Sequence, residues 1–331
     1  MSGTAAGPAL SPDVLKMADP AAVADAIGEG IRESVLRRFR RRGVVVGLSG
    51  GIDSSVVAAL SVRALGKDRV VGLFMPEADS SGESLRLGRL LAESLGIRAE
   101  LEDITAILTA AGCYRRRDEA IRSVAPEYGE GWKSKIVLPD LIGSGQYAFF
   151  SVVVESPGGV QTRTRLTSEA YLGIVAATNF KQRTRKMLEY YYADRLNYAV
   201  AGTPNRLEYD QGFFVKLGDG AADVKPIAHL YKSQVYQMAE ALGVPEEIRR
   251  RPPTTDTYSL AQSQEEFYFA LPYRQMDLCL YAKDHGIPAA EAAPALGLTP
   301  EQAERAYRMI DSKRQVAQYL HAAPVLVGPA G

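Results

Sequence analysis

The sequence predicts an α/β protein: a doubly wound parallel sheet with helices on both faces and an inserted β-hairpin. Three observations carry this. Short β-branched apolar runs alternate with helical stretches over residues 19–112, the pattern of βαβ units. A glycine-rich turn joins the first such run directly to the helix after it. A further buried run, Tyr198–Gly202, returns after an interval in which the alternation is lost.

The elements follow in order. Residues 1–18, rich in Ala, Gly, Ser and Pro, read as a loose arm. Asp19-Pro20 supplies an N-cap and a proline at the first helical position. Val23, Ile27, Ile31, Val35 and Phe39 then form one helix face. Arg37, Arg38, Arg40, Arg41 and Arg42 close this helix; cations at the negative end of the macrodipole explain them, with phosphate binding as the alternative. Val44–Leu48 reads as a buried strand, and a helix from about Ser54 to Leu65 ends at Gly66. Val70–Met75 and Ile97–Glu102 are the next strands, with helices at Ser81–Leu95 and Ile104–Ala111. Residues 113–170 read as an insertion: a polar stretch over 113–135, then Ala148–Glu155 and Val160–Leu166 flanking Ser156-Pro157-Gly158-Gly159 as a hairpin. A long helix over Thr167–Leu196, broken near Asn179, leads to Tyr198–Gly202. Residues 244–321 read as mostly helical, with breaks at Pro252-Pro253 and at His285–Pro288, and 322–331 as a flexible tail. The expected organisation is thus one α/β domain over 19–321.

Composition excludes several classes. Of 331 residues, 46% are apolar and 24% charged, so a core can form and wholesale disorder is ruled out. Thirty-nine basic residues balance 39 acidic ones, which argues against a nucleic-acid-wrapping protein. No apolar stretch approaches the ~20 residues that span a bilayer, and no secretory signal pattern opens the chain. Cys113 and Cys279 stand far apart in no CxxC pattern, so a disulfide scaffold and a zinc ribbon are excluded and a cytoplasmic location is expected. His229, His285 and His321 are scattered and suggest no metal site.

The chemistry concentrates in two places. Residues 44–55 read VVVGLSGGIDSS. Gly50 and Gly51 allow a tight turn and close backbone approach, and the helix N-terminus beyond adds unpaired donors and positive partial charge. This is an anion cradle, although neither a Walker A loop nor GxGxxG. Asp53 would repel phosphate unless it holds Mg²⁺ against it; alternatively Asp53 is a helix cap. Residues 201–235 form the second place. Glu208, Lys216, Asp219, Asp223 and Lys232 lie in a glycine-rich stretch that cannot build a core, which favours binding. Singly, each has a plainer reading: Lys216 and Lys232 as solvated charges, Glu208 as a cap or partner of Arg206, Arg183 and Arg185 as helix-face pairs.

The SGGxDS turn resembles the pyrophosphate loop of the N-type ATP pyrophosphatases, which have an adenine nucleotide alpha-hydrolase-like (Rossmann-like) fold. The second stretch is similar to the ammonia-dependent NAD synthetase family. GT-x₄-E, GFF-x-K-x-GDG-x-AD, P-x₃-L-x-K-x-Q and PPT-x-D occur in order, with NFKQRTR (Asn179–Arg185) upstream and SKRQVA (Ser312–Ala317) near the end. The resemblance implies that Ser49, Gly50, Gly51, Asp53 and Ser54 hold the ATP phosphates, with Thr203, Lys232 and Thr254 also on ATP. It implies Mg²⁺ on Asp53 and Glu208, with Asp53, Glu208 and Lys232 as the catalytic group. Arg183, Lys216, Asp223 and Lys313 would contact the dinucleotide.

That resemblance implies adenylation of the carboxylate of nicotinic acid adenine dinucleotide, then attack by ammonia, giving NAD, AMP and pyrophosphate. It also implies a homodimer. No glutaminase region is evident, so ammonia comes free or from a separate protein. Thr255–Glu265 reads as a lid. Three departures fall on the acid-recognising side: MPEADSSGES (Met75–Ser84) where the family carries PYGxQ, Ser312 where it carries His, and a longer 113–170 insertion. The Tyr-x₃-Asp element, Tyr273 and Asp277, is kept. The alternatives are a paralogous amide synthetase for another acid and a tRNA-thiolating enzyme.

Overall fold

The structure is a computed structural model and describes residues 10–138, 150–253, 258–260, 262 and 268–328. Helix α1 (Pro20–Arg32) starts where Asp19 accepts hydrogen bonds from the backbone N–H groups of Ala21 and Ala22, both at 3.0 Å. It runs on through a wider turn, Glu33–Arg38. Strand β1 (Val44–Gly47), helix α2 (Ile52–Leu65), strand β2 (Val70–Phe74), helix α3 (Gly82–Leu95) and strand β3 (Arg98–Leu101) follow. Then come helices α4 (Thr105–Ala110) and α5 (Cys113–Arg122), strands β4 (Lys133–Val137), β5 (Ser151–Glu155) and β6 (Gln161–Arg165), and helix α6 (Ser168–Leu196). Strand β7 (Ala199–Ala201) leads to α7 (Arg206–Gln211), α8 (Lys232–Ala241), α9 (Glu246–Arg250), α10 (Tyr273–Asp284), α11 (Ala289–Leu296) and α12 (Pro300–His321).

The central sheet has the order β3-β2-β1-β7, every pair parallel, with Val44 opposite both Val70 and Ala199. Its two faces are read from strand alternation. Val44, Val46, Val70, Ala199 and Ala201 point into a core shared with α1, α2, α3 and α8. Val45, Val71, Leu73 and Val200 point the other way, onto Leu108, Cys113, Tyr192 and Ala193 of α4, α5 and α6. Helices therefore cover both faces, and the ligand-bearing side is set where the strands end, at Gly47 and Ala201.

Several expectations need correction. The insertion is more than a hairpin: β4 pairs antiparallel with β5, and β5 with β6, as a three-stranded sheet with its own apolar cluster under Ile136, Val152, Val154 and Ile174. Within the supposedly polar stretch 113–135 lie α5 and most of β4. The first residues of the expected Ala148–Glu155 strand lie outside the described residues. Helix α6 is continuous through Asn179 over 29 residues, with Thr178 Oγ1 donating to the carbonyls of Ile174 and Val175.

The insertion is tied to the end of β2 by buried charges. Lys181 Nζ donates to Glu77 Oε1 at 2.9 Å and Asp79 Oδ2 at 2.6 Å; Arg117 also meets Asp79, and Tyr114 donates to Glu77 at 2.8 Å. This is the segment that replaces PYGxQ.

The C-terminal helices α10, α11 and α12 pack a separate cluster around Met276, Leu280, Ala292 and Ile310. Leu15 is buried in it, and the Met17 N–H donates to Gln237 Oε1 at 2.8 Å, so residues 10–18 are docked rather than loose. Residues 1–9 lie outside the described residues. At the other end Val325, Leu326 and Val327 are exposed beyond α12. The arginine run stays on the surface: Arg37 donates to Glu33 at 2.7 Å and Arg41 to Asn197 at 2.6 Å. No described helix is long and apolar enough to cross a membrane.

Candidate active site

Helix α2 begins at Ile52, two residues before the expected Ser54, and its N-cap is Gly51, with no side-chain cap. Asp53 is therefore a first-turn residue and not the cap. The turn before it is shaped by hydroxyls: the Gly51 N–H donates to Ser49 Oγ at 3.3 Å, and Ser54 Oγ and Ser55 Oγ donate to the Gly51 carbonyl at 3.1 and 2.8 Å. Gly50 has φ +70°, and a Cβ there would sit 2.4 Å from the Ser84 carbonyl oxygen. Only glycine satisfies both conditions. The result is an uncapped helix N-terminus opening onto a cavity of about 1230 Å³.

Ser49, Gly51, Asp53 and Ser54 line that cavity on one side. Thr203, Glu208 and Lys232 line it from the loop after β7, from α7 and from α8. Arg183 of α6, Lys216 and Lys313 of α12 complete the set. Two expected residues lie elsewhere. Gly50 is buried behind the turn, against α3. Asp223 accepts from the Val200 N–H at 2.7 Å and from Tyr190 OH at 3.4 Å, pinning the chain beside β7 instead of lining the cavity. Thr254 lies outside the described residues, as does most of Thr255–Glu265.

The charges of the first group are organised by one residue the sequence reading missed. Asn205 is buried and its Nδ2 donates to Asp53 Oδ1 at 3.0 Å. Its side chain also caps α7 by accepting from the Glu208 N–H, while Glu208 Oε2 accepts from the Asn205 N–H at 3.1 Å. The reciprocal N-x-x-E capping box was the available signal. Glu208 is thus a cap and a cavity residue at once, and Arg206 pairs with Asp284 instead, at 2.7 Å. Lys232 Nζ meets Asp53 Oδ2 in a buried ion pair. Burial opposes the Lys232 charge, but Asp53 and then Glu208 hold its pKa above the ordinary lysine range. Lys232 in turn starts α8, where Asp277 accepts from the N–H groups of Lys232 and Ser233 at 3.1 and 2.7 Å. Burial lifts the Asp277 carboxyl to about 6 against those bonds.

The second group lies under α12. Arg183 Nε donates to the Lys216 carbonyl at 3.3 Å, and Lys216 Nζ donates to the Tyr319 carbonyl at 2.7 Å, 4.0 Å from the Tyr319 ring centre. Lys313 donates to the Tyr268 carbonyl and lies 4.1 Å from the centre of that ring. Burial lowers its pKa to about 7. Ser312 also faces the cavity. The insertion supplies an apolar wall through Phe150, stacked 4.3 Å from Tyr171. Glu189 of α6 also reaches the cavity: a Cβ on Gly47 would lie 2.8 Å from its Oε1.

Among the described residues no cluster of three or more His, Cys, Asp or Glu side chains could hold a metal. Two carboxylates, Asp53 and Glu208, do sit beside the turn. That donor set fits Mg²⁺, which is ordinarily held by one or two carboxylates with the remaining sites left to phosphate and water.

Known proteins resemble this chain in sequence and fold. The family model described as NAD synthase matches residues 23–125 and 159–317. The NH(3)-dependent NAD(+) synthetase of Mesorhizobium japonicum is 63% identical over 93% of this chain and 97% of its own length. That of Rhizobium meliloti is 61% identical over 97% of this chain and 95% of its own. Two solved structures share the fold at low identity. The NH3-dependent NAD synthetase from Campylobacter jejuni has a TM-score of 0.63 at 23% identity, covering 94% of this chain and 100% of its own. An NMN synthetase from Francisella tularensis has a TM-score of 0.65 at 22% identity, covering 93% and 98%.

Proposed function

The chain belongs to the NAD synthase family, and from that premise we propose how its cavity works. The protein is an ATP-dependent, ammonia-using amide ligase that converts deamido-NAD to NAD. The observation that carries the mechanism is the joining of two sites in one cavity. The Ser49–Ser54 turn with Asp53, Glu208 and Lys232 and the cations Arg183, Lys216 and Lys313 line the same cavity. A volume of about 1230 Å³ exceeds the usual single-ligand pocket and suits a triphosphate beside a dinucleotide.

In the first step a carboxylate oxygen of the acid attacks the α-phosphorus of ATP. The bond to the bridging oxygen of the β-phosphate breaks and pyrophosphate leaves. In the second, the ammonia nitrogen attacks the acyl carbon, the acyl–oxygen bond to AMP breaks, and a proton is released. The work of the protein is positioning and charge neutralisation. The uncapped start of α2 faces the phosphates. Lys232 carries a fixed positive charge to the leaving side, and Asn205 holds Asp53 in place. Asp53 and Glu208 would hold Mg²⁺, which when bound neutralises phosphate charge. Arg183, Lys216 and Lys313 are read as the cations for the acid dinucleotide. Cys113 and Cys279 are buried and neither lines the cavity, so no thiol nucleophile is offered, and the sulfur-transfer reading is not favoured.

Three finer readings belong to the same proposal. The chain forms a homodimer, supported by the exposed Leu172, Met187 and Tyr191 along α6; light scattering tests it. Ammonia is taken free or from a separate protein, and the setting is cytoplasmic. The experiment that tests the activity supplies ATP, ammonia and a panel of carboxylic acids, with mass detection of the amide. Amide formed only from deamido-NAD is expected. Turnover of a different acid, with none for deamido-NAD, overturns the assignment.

A further inference from the structure

Three consecutive arginines end α9 and lead into Pro252-Pro253. Two serve the surface: Arg249 Nε donates to the Val244 carbonyl at 3.0 Å, and Arg250 pairs with Glu246 at 2.5 Å. Arg251 instead lines the cavity. Its Nη1 donates to the Gly50 carbonyl at 3.3 Å and its Nη2 to Ser84 Oγ at 2.8 Å. One guanidinium thus bridges the glycine turn that opens α2 and the first turn of α3. Both acceptors are neutral. Among the described residues, no carboxylate lies within ion-pair distance of Arg251; the nearby Glu83 is itself taken by Arg86, at 2.7 Å.

A half-buried cation bonded only to neutral oxygens keeps a charge in want of a partner. Its surroundings add to the deficit. Helices α2 and α3 both begin at this wall, so two positive dipole ends face the same space. A planar fork beside two helix N-termini matches a multiply charged phosphate group.

We propose that Arg251 is a further binding residue of the reaction, gripping the two terminal phosphates of ATP and holding the pyrophosphate as it leaves. The assignment rests on the amide-ligase reading above. Negative charge gathers on the β-phosphate oxygen as the bridging bond breaks, and Arg251 meets that charge together with Lys232, which lines the same cavity. Because it immediately precedes Pro252-Pro253, the same contact fixes where that rigid segment leaves the site.

The test uses the full chain with Arg251→Gln and Arg251→Lys. Loss of a charge-assisted, forked contact should raise KM for ATP and weaken pyrophosphate inhibition by about tenfold or more in the Gln variant. AMP, which lacks the terminal phosphates, should inhibit within about twofold of wild type, as should KM for the dinucleotide acid. The Lys variant should recover part of the loss. Equal weakening of AMP and ATP, or unchanged pyrophosphate inhibition, overturns the proposal. Calorimetric titration with inorganic pyrophosphate reads Arg251 without turnover, so a wild type that binds pyrophosphate but amidates another acid rejects only the substrate assignment. If the Gln variant does not fold, the Lys variant decides: weaker pyrophosphate with AMP unchanged is expected, and wild-type pyrophosphate affinity refutes the role.

Discussion

Asp53→Asn is the most informative perturbation of the site. Asp53 accepts from Lys232 Nζ on one oxygen and from Asn205 Nδ2 on the other, and the two ion-pair side chains are only 3% and 15% exposed. An asparagine presents one oxygen and one NH₂. If the oxygen faces Lys232, the NH₂ opposes the Asn205 NH₂, and one buried hydrogen bond is lost at about 1 kcal/mol. The charge on Lys232 is then left with Glu208 as its remaining carboxylate, which adds about 1–3 kcal/mol. Together this lowers the melting temperature by roughly 5–10 °C without unfolding the protein at assay temperature. Turnover should fall about 10³-fold or more, because Asp53 orients Lys232 and would hold Mg²⁺, the cations that meet the charge developing on the leaving group. Pyrophosphate release stimulated by deamido-NAD is the assay, with differential scanning fluorimetry alongside. Dinucleotide affinity should stay within about twofold, since Arg183 and Lys216 are untouched. Turnover within about tenfold of wild type, with the melting shift present, would refute the role given to Asp53.

Other consequences are as direct. Gly50→Ala places a Cβ 2.4 Å from the Ser84 carbonyl at φ +70°; KM for ATP should rise at least about tenfold, and an unchanged KM would mean the turn has room it does not show. Asp277→Ala strips two N–H groups at the start of α8 of their acceptor, costing about 2–4 kcal/mol by urea titration. With its carboxyl lifted from 3.8 to about 6, folded Asp277 binds more protons than the unfolded chain between those values, so its contribution to stability falls as pH rises through that window. Asp277→Asn should flatten that arm. Lys313, lowered to about 7, is charged below that pH and neutral above it. Calorimetric affinity for deamido-NAD should therefore drop as pH rises from 6 to 8, and Lys313→Arg should abolish the dependence.

The parts of the fold that were legible are those where one side-chain pattern had one structural meaning. VVVG can only be a buried strand between two helix layers, and SGGIDSS only a turn into a helix. Strand β4 was illegible because its inward residue Ser134 is polar, so KSKIV does not show apolar alternation although burial alternates over Lys133–Ile136. Asn179 was read as a break by propensity, yet a helix packed along its length overrides that preference. At the site, the glycine turn, Glu208 and Lys232 stood out because each sits in a motif and the motifs occur in order along the chain. Arg251 did not, because nothing separates it from Arg249 and Arg250 until the chain is folded. Asp223 was misplaced for the converse reason: a carboxylate in a motif looks the same whether it faces a ligand or a backbone N–H.

The outer margin of the inserted sheet has one more implication. Strand β4 receives the Leu260 N–H on the Ser134 carbonyl at 3.2 Å, and Ser259 Oγ accepts from the Ser134 N–H at 2.9 Å. The opposite margin, β6, is instead studded with Gln161, Arg163 and Arg165. Both rims are thereby shielded from joining a neighbouring chain. Chimeras that transplant residues 113–165 without the 258–262 strip would bare a sticky rim and clump, so the two pieces are one unit of exchange although residues 166–257 separate them in the chain.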